Sequence, residues 1–229
     1  MSDASLGLRE AVKVLRKHYG PPVPLPTADP FELVLWENVA YLTSPARRRE
    51  AFEQLKSTVG TSPTAILAAR PKTLEQVTSH GILKSTFAAK LRECAHIALD
   101  TCGGDLGSAL RKAPARAKLT LRSFPGIGEP GAEKILLFAG YEALLAPDSN
   151  GLRVLVRLGL VREEGSYART YAASREAARG LPAKPGAMQE AHLLLQQHGQ
   201  TLCKRQLPRC GACPLERRCA HARREGRGT

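Results

Sequence analysis

The stretch from Leu121 to Asp148, LRSFPGIGEPGAEKILLFAGYEALLAPD, constrains this chain more than any other. It reads as helix, tight turn, helix, extended arm and a lone carboxylate. The turn is Phe124-Pro125-Gly126-Ile127-Gly128. Two glycines one residue apart allow a sharp bend and a close neighbour. The pattern predicts a helix from Glu129 to Ala139, whose first N–H groups have no acceptor inside the helix and form an anion site. Pro130 suits the first helical turn, where its missing N–H is no loss. Taken alone, Pro-Gly-X-Gly between two helices is equally a plain turn.

Charge points to the anion. The chain carries 34 Lys and Arg against 21 Asp and Glu, a net +13 spread along its length. That balance favours a polyanionic partner, and a nucleic-acid phosphate is the obvious one. With 229 residues, 43% of them hydrophobic, the chain has enough apolar surface for one large domain or two small ones. No run approaches the roughly eighteen apolar residues of a membrane span, so no membrane partner is expected. The N-terminal stretch lacks the apolar core of a signal peptide. A cytoplasmic, nucleoid-associated protein is the expectation.

The periodicity is helical throughout. A helix over 6–19 is followed by the Pro-rich connector 21–30. Asp29 then caps a helix with Pro30 at its first position, DPFELVLWENVAYL, apolar on every side and so buried. Glu37 inside it is costly unless partnered or employed. Helices follow from Arg47 to Val59, from Ser62-Pro63 to Ala69, from Thr73 to Thr78 and from Lys84 to Asp100. One or two short helices fill 105–123. Beyond Asp148, the pattern predicts helices over Asn150–Leu158, Tyr167–Ala178 and Ala187–His198, with 181–186 a linker. No segment alternates with period two, which makes the chain all-α.

Four of the six cysteines fall in the last 27 residues, Cys203, Cys210, Cys213 and Cys219, spaced C-x6-C-x2-C-x5-C. In a reducing compartment this crowding points to metal rather than disulfides. Four thiolates that close in sequence hold either one tetrahedral zinc or one cubane cluster.

The cysteine tail, preceded by Glu190-AHLLLQQH-Gly199, resembles the 4Fe-4S loop of endonuclease III and its relatives. The hairpin with its following arm and Asp148 resembles the helix-hairpin-helix signature of the same DNA glycosylase superfamily, and Asp29-Pro30-Phe31-Glu32-Leu33 resembles its first buried helix. The likeness runs from about residue 29 to Cys219. It implies two helical domains flanking a DNA-binding cleft: residues 30–144 with the hairpin at about 115–140, and residues 1–29 plus 145–229 carrying a 4Fe-4S cluster. The implied partner is double-stranded DNA with a damaged or mismatched base, met by a monomer.

The resemblance assigns roles. Breaking a C1′–N bond builds positive charge on the sugar, which a carboxylate stabilises; Asp148 matches the superfamily's Asp. By local sequence alone the same Asp is a helix N-cap. Endonuclease III carries its sugar-attacking lysine where this chain has Pro130, and Lys134 lies one turn further on. The reading is a monofunctional glycosylase with water as nucleophile. The alternatives are a non-catalytic lesion-sensing relative and a bifunctional enzyme using a displaced lysine. Glu37 falls where MutY-type adenine glycosylases carry the acid that protonates the leaving base, although the residues after it depart from that family. Trp36, Asn38 and Tyr41 are candidates to line the pocket. Pro125, Gly126, Ile127 and Gly128 are candidate DNA contacts, and Ile82 and Leu83 a candidate wedge.

Overall fold

The structure, a computed structural model, describes residues 7–225. The readings of residues 1–6 and 226–229, including a first-helix start at residue 6, lie outside the described residues. Among the described residues there are thirteen α-helices and no strand. They form two compact units: one is Leu25–Ala139, the other is built from both chain ends, up to Pro24 and from Gly140 onward.

The Leu25–Ala139 unit is organised around α2, Pro30–Asn38. Asp29 accepts from the Glu32 N–H at 2.9 Å, and Pro30 takes the first helical position. Seven of the nine residues of α2 are buried. Each fully buried Leu or Val contributes about 1.5–3 kcal/mol relative to exposure. The helix is covered by α3 (Pro45–Thr58), α6 (Lys84–Cys102), α7 (Leu106–Lys112) and α9 (Glu129–Phe138). The short α4 (Pro63–Ala68) and α5 (Pro71–Thr78) pack on α6. The hairpin pairs α8 (Ala117–Arg122) with α9. Glu133 of α9 is fully buried and bound to Lys118 of α8 at 2.5 Å, which ties the two helices together.

In the other unit, α10 (Ser149–Leu158) lies along α12 (Pro185–Thr201), and α1 (Leu8–Tyr19) covers α12. The helix α11 (Tyr167–Ala177) and a terminal α13 (Ala220–Glu225) also pack on α10. Two expectations need correction here. The linker 181–186 is shorter, because Pro185 sits at the first position of α12, where proline costs nothing. The helix α13 was not expected, since its highly charged sequence shows no apolar stripe.

Candidate functional site

The hairpin turn is drawn tight by its backbone: Ile127 N–H donates to Phe124 O at 3.2 Å. Gly126 takes φ +75°, a conformation that side chains resist, and a Cβ there would meet Asn38 Oδ1 at 3.1 Å. Gly128 is different. Its backbone is extended, and a Cβ would find only Pro130 Cδ, at 3.9 Å. Nothing inside the protein demands a glycine at Gly128. The N–H groups of Gly126 and Gly128 make no hydrogen bond among the described residues, and both glycines are exposed. Ile127 is 5% exposed, and its side chain anchors the turn in the core. Pro125 is half-buried.

Helix α2 supports the turn from behind. Asn38 donates from Nδ2 to Val34 O at 3.1 Å and to Pro125 O at 3.0 Å. Its amide is spent on the hairpin rather than offered to a pocket. One residue earlier, Glu37 reaches α9: Lys134 Nζ lies 2.6 Å from Glu37 Oε2, with both side chains mostly buried. The reading of Glu37 as an acid among apolar neighbours is therefore replaced by an ion pair. Trp36 is also corrected. It is 6% exposed, set edge-on to Phe52 with a centroid separation of 5.6 Å, and capped by the guanidinium groups of Arg48 and Arg49. It is a core residue and not a free stacking face.

Tyr41 and Ile82 join two loops through an isolated antiparallel bridge, in which Ile82 N–H donates to Tyr41 O at 3.0 Å. Gly81 makes the approach possible, since a Cβ there would collide with the Tyr41 backbone. The Tyr41 ring stacks on Phe87 at 4.9 Å. Tyr41 and Ile82 of this bridge, and Leu42 and Leu83 next to them in the chain, are all exposed. Leu42 and Leu83 hold φ of +49° and +57°. A bulky residue in that region is strained, and strain of this kind gathers at functional sites. Sequence reasoning found Ile82 and Leu83 and missed Leu42, whose only signal is an apolar residue just before the Thr43-Ser44-Pro45 helix start.

Asp148 belongs to the composite unit. It is the N-cap of α10, as the local reading held, with Oδ1 accepting from Gly151 N–H at 2.8 Å. Its other oxygen accepts from Gln196 Nε2 at 2.9 Å and from Asn150 Nδ2 at 3.2 Å. Burial pushes its pKa up, but the nearby His192 ring, the Gly151 N–H and the two amides outweigh burial and hold it below the ordinary aspartate value. Asp148 is thus an ionised, fixed carboxylate. His192 is itself set by its Nδ1, 2.6 Å from Ala146 O.

Arg153, one turn along α10, extends this network. It donates to Asn150 Oδ1 at 2.9 Å, to Gly199 O at 2.8 Å and to Cys203 O at 3.0 Å. Cys203, Cys210, Cys213 and Cys219 all line one cavity, walled by Val154, Leu158, Leu202 and Pro208. Arg157 reaches in with Nη1 3.4 Å from Cys203 Sγ. Among the described residues no three metal-ligating side chains converge as closely as a single ion requires. Cys94 takes no part: it is buried in α6, and burial pushes its thiol up to about 12.

No family model matches the chain. It is 25% identical over 206 residues to endonuclease III of Thermotoga maritima, a match covering 87% of each chain. It is 28% identical over 141 residues to the adenine DNA glycosylase of Rattus norvegicus, covering 61% of this chain and only 25% of that longer protein. A solved structure of endonuclease III trapped as a covalent intermediate with DNA superposes with a TM-score of 0.74, covering 96% of this chain and 97% of that one at 21% identity. These likenesses show the fold, the all-helical fold of endonuclease III, and a sequence similarity to that enzyme over most of both chains. No helix among the described residues is long and apolar enough to cross a membrane.

Proposed function

We propose that this chain is a monofunctional base-excision glycosylase: it extrudes a damaged or mispaired base from duplex DNA and hydrolyses its N-glycosidic bond with water. The observation that carries this reading is the Glu37–Lys134 pair, 2.6 Å apart. Pro130 stands where endonuclease III has its nucleophilic lysine, and it brings no amine. Lys134 is the one lysine on α9, and its amine is engaged by a mostly buried carboxylate rather than free to attack a sugar.

The chemistry then rests on Asp148. The C1′–N bond breaks, its electron pair leaves with the base, and positive charge develops on the sugar. Asp148, held ionised by three donors, stabilises that charge and orients the incoming water. A proton from solvent neutralises the departing base. Water adds at C1′, and its proton returns to solvent. The Gly126 and Gly128 N–H groups are aimed to meet a backbone phosphate. Leu42, Ile82 and Leu83 fill the gap the extruded base leaves.

Cys203, Cys210, Cys213 and Cys219 fit a 4Fe-4S cluster. All four donors are thiols on one cavity, the donor set such a cluster takes. Bound there, the cluster would order the 203–219 loop by cross-linking it.

The test is base release from duplexes that each carry one lesion, with and without hot alkali, for the parent and Asp148→Asn. Strand breaks that need alkali and vanish in the variant support the proposal. A borohydride-trapped adduct, lost in Lys134→Ala, would overturn monofunctionality. No release from any duplex, with tight binding, would favour a lesion sensor.

A further inference from the structure

His198, in the last turn of α12, is 1% exposed, and neither Asp148 nor the hairpin uses its side chain. Its Nε2 lies 3.5 Å from Cys213 Sγ, within hydrogen-bonding reach of sulfur. Its Nδ1 lies 2.9 Å from Tyr19 Oη of α1, and that hydroxyl lies 2.9 Å from Thr201 Oγ1. The backbone sets the imidazole against the cysteine loop: His198 O accepts from Leu202 N–H at 3.1 Å and from Cys203 N–H at 2.9 Å. Gly199, the next residue, lets α12 press on α10, since a Cβ there would collide with Asn150.

The sulfur decides which nitrogen carries the proton. The thiolate, not the thiol, binds metal, so a ligated Cys213 can only accept. A neutral imidazole has one donor and one acceptor. Nε2 therefore donates to Cys213, and Nδ1 accepts from Tyr19 O–H. Tyr19 Oη keeps a lone pair for Thr201 O–H. A partner at the far nitrogen is what fixes the tautomer and the ring orientation of a histidine beside a metal site. Hydrogen bonds to cysteine sulfur are among the properties that set the potential of an iron–sulfur cluster, because they stabilise the more negative, reduced form.

We propose that His198 is a positioning residue for the cofactor: it donates from Nε2 to the Cys213 sulfur, with its tautomer held by Tyr19, and so raises the reduction potential of the bound 4Fe-4S cluster. This rests on the cluster reading above and is independent of the DNA contacts.

The experiment titrates the full chain, reconstituted anaerobically with iron and sulfide, against redox mediators while its visible absorbance is followed. His198→Leu removes the N–H and keeps the site filled. It should be about tenfold more oxidised than the parent at the parent's midpoint, a shift of about 59 mV for one electron. His198→Gln returns an amide N–H near the place of Nε2 and should recover most of that shift. Tyr19→Phe should move the potential the same way by less. The Fe–S(Cys) stretch in resonance Raman spectra, which needs no reduction, should rise in frequency in His198→Leu and Tyr19→Phe. Parental potential and parental stretch in both variants would overturn the proposal. So would a His198→Gln protein as shifted as His198→Leu, which would make bulk rather than the N–H the cause. Should His198→Leu take up no cluster, parental values in Tyr19→Phe would overturn the proposal alone. A parent that takes up no cluster would instead sink the cluster reading, and this inference with it.

Discussion

Lys134 and Glu37 stand 97 positions apart in the chain, and their charged atoms are 2.6 Å apart between α9 and α2. Side-chain exposures of 16% and 17% make this a largely desolvated pair. Removing one partner weakens the compensation of the other's charge. Lys134→Met should cost about 3 kcal/mol, seen as a lower urea midpoint. Glu37→Gln with Lys134→Met should recover part of that loss, because a neutral amide is cheaper to bury than a carboxylate that has lost its ammonium partner. A double-mutant cycle with no coupling would mean that the pair does not form in solution.

Asp148 is expected to separate its two duties. Asparagine keeps an oxygen for the Gly151 N–H but sets an amide against the Gln196 and Asn150 donors. Asp148→Asn should therefore lose about 1 kcal/mol of stability and nearly all base release. Equal losses of stability and activity, moving together with temperature, would reduce Asp148 to a cap.

Its pH dependence has a definite sign. The folded pKa of Asp148 lies below the unfolded one. The stabilisation is complete above the ordinary aspartate value and is lost as pH falls through the folded value. Stability of Asp148→Asn should thus respond less to acid than the parent in that window. Base release by the parent should not fall, on account of Asp148, between neutrality and the ordinary aspartate value. Denaturant titrations and rates across that range check both.

Arg153 holds Asn150 at one end and the carbonyls of Gly199 and Cys203 at the other. Arg153→Met is expected to lower base release by roughly tenfold, since a charged hydrogen bond of about 1.5–3 kcal/mol is lost at the residue that orients Asp148. It should also loosen the cysteine loop, read as faster bleaching of visible absorbance under a chelator. Unchanged bleaching would confine Arg153 to the Asp148 side.

Gly81 lets the Tyr41 and Ile82 loops touch. Gly81→Ala should break that bridge and release Leu42, Ile82 and Leu83 from their fixed posture. Affinity for a duplex with an abasic gap should fall more than affinity for an intact one. An equal fall for both would argue that these three side chains do not fill the gap.

Much of this was legible in residue order because it is settled locally. Asp29 and Ser62 each accept from the N–H three residues on, so their helices start where a short polar residue meets Pro; Ser44 does the same, which starts α3 at Pro45 rather than at the expected Arg47. The same local rule made Asp148 a cap. Trp36 and Asn38, candidates for a pocket, are instead packed inside, for one reason: burial depends on neighbours distant in sequence. Leu42 went unread because a φ angle has no signature in residue type when the residue is not glycine.

By itself the sequence determined the helices and their caps, the glycine turn that begins α9, the crowding of four thiols in one short stretch, and the absence of an amine at Pro130. Each depends on groups within a few residues, where covalent geometry already limits the outcome. Only the tertiary structure decided that Lys134 is held by Glu37, that Asn38 braces the hairpin, that Arg153 ties Asp148 to the cysteine loop, and that Leu42 and Leu83 stand strained in solvent. Those depend on which helices pack together and on which charges that packing takes out of water.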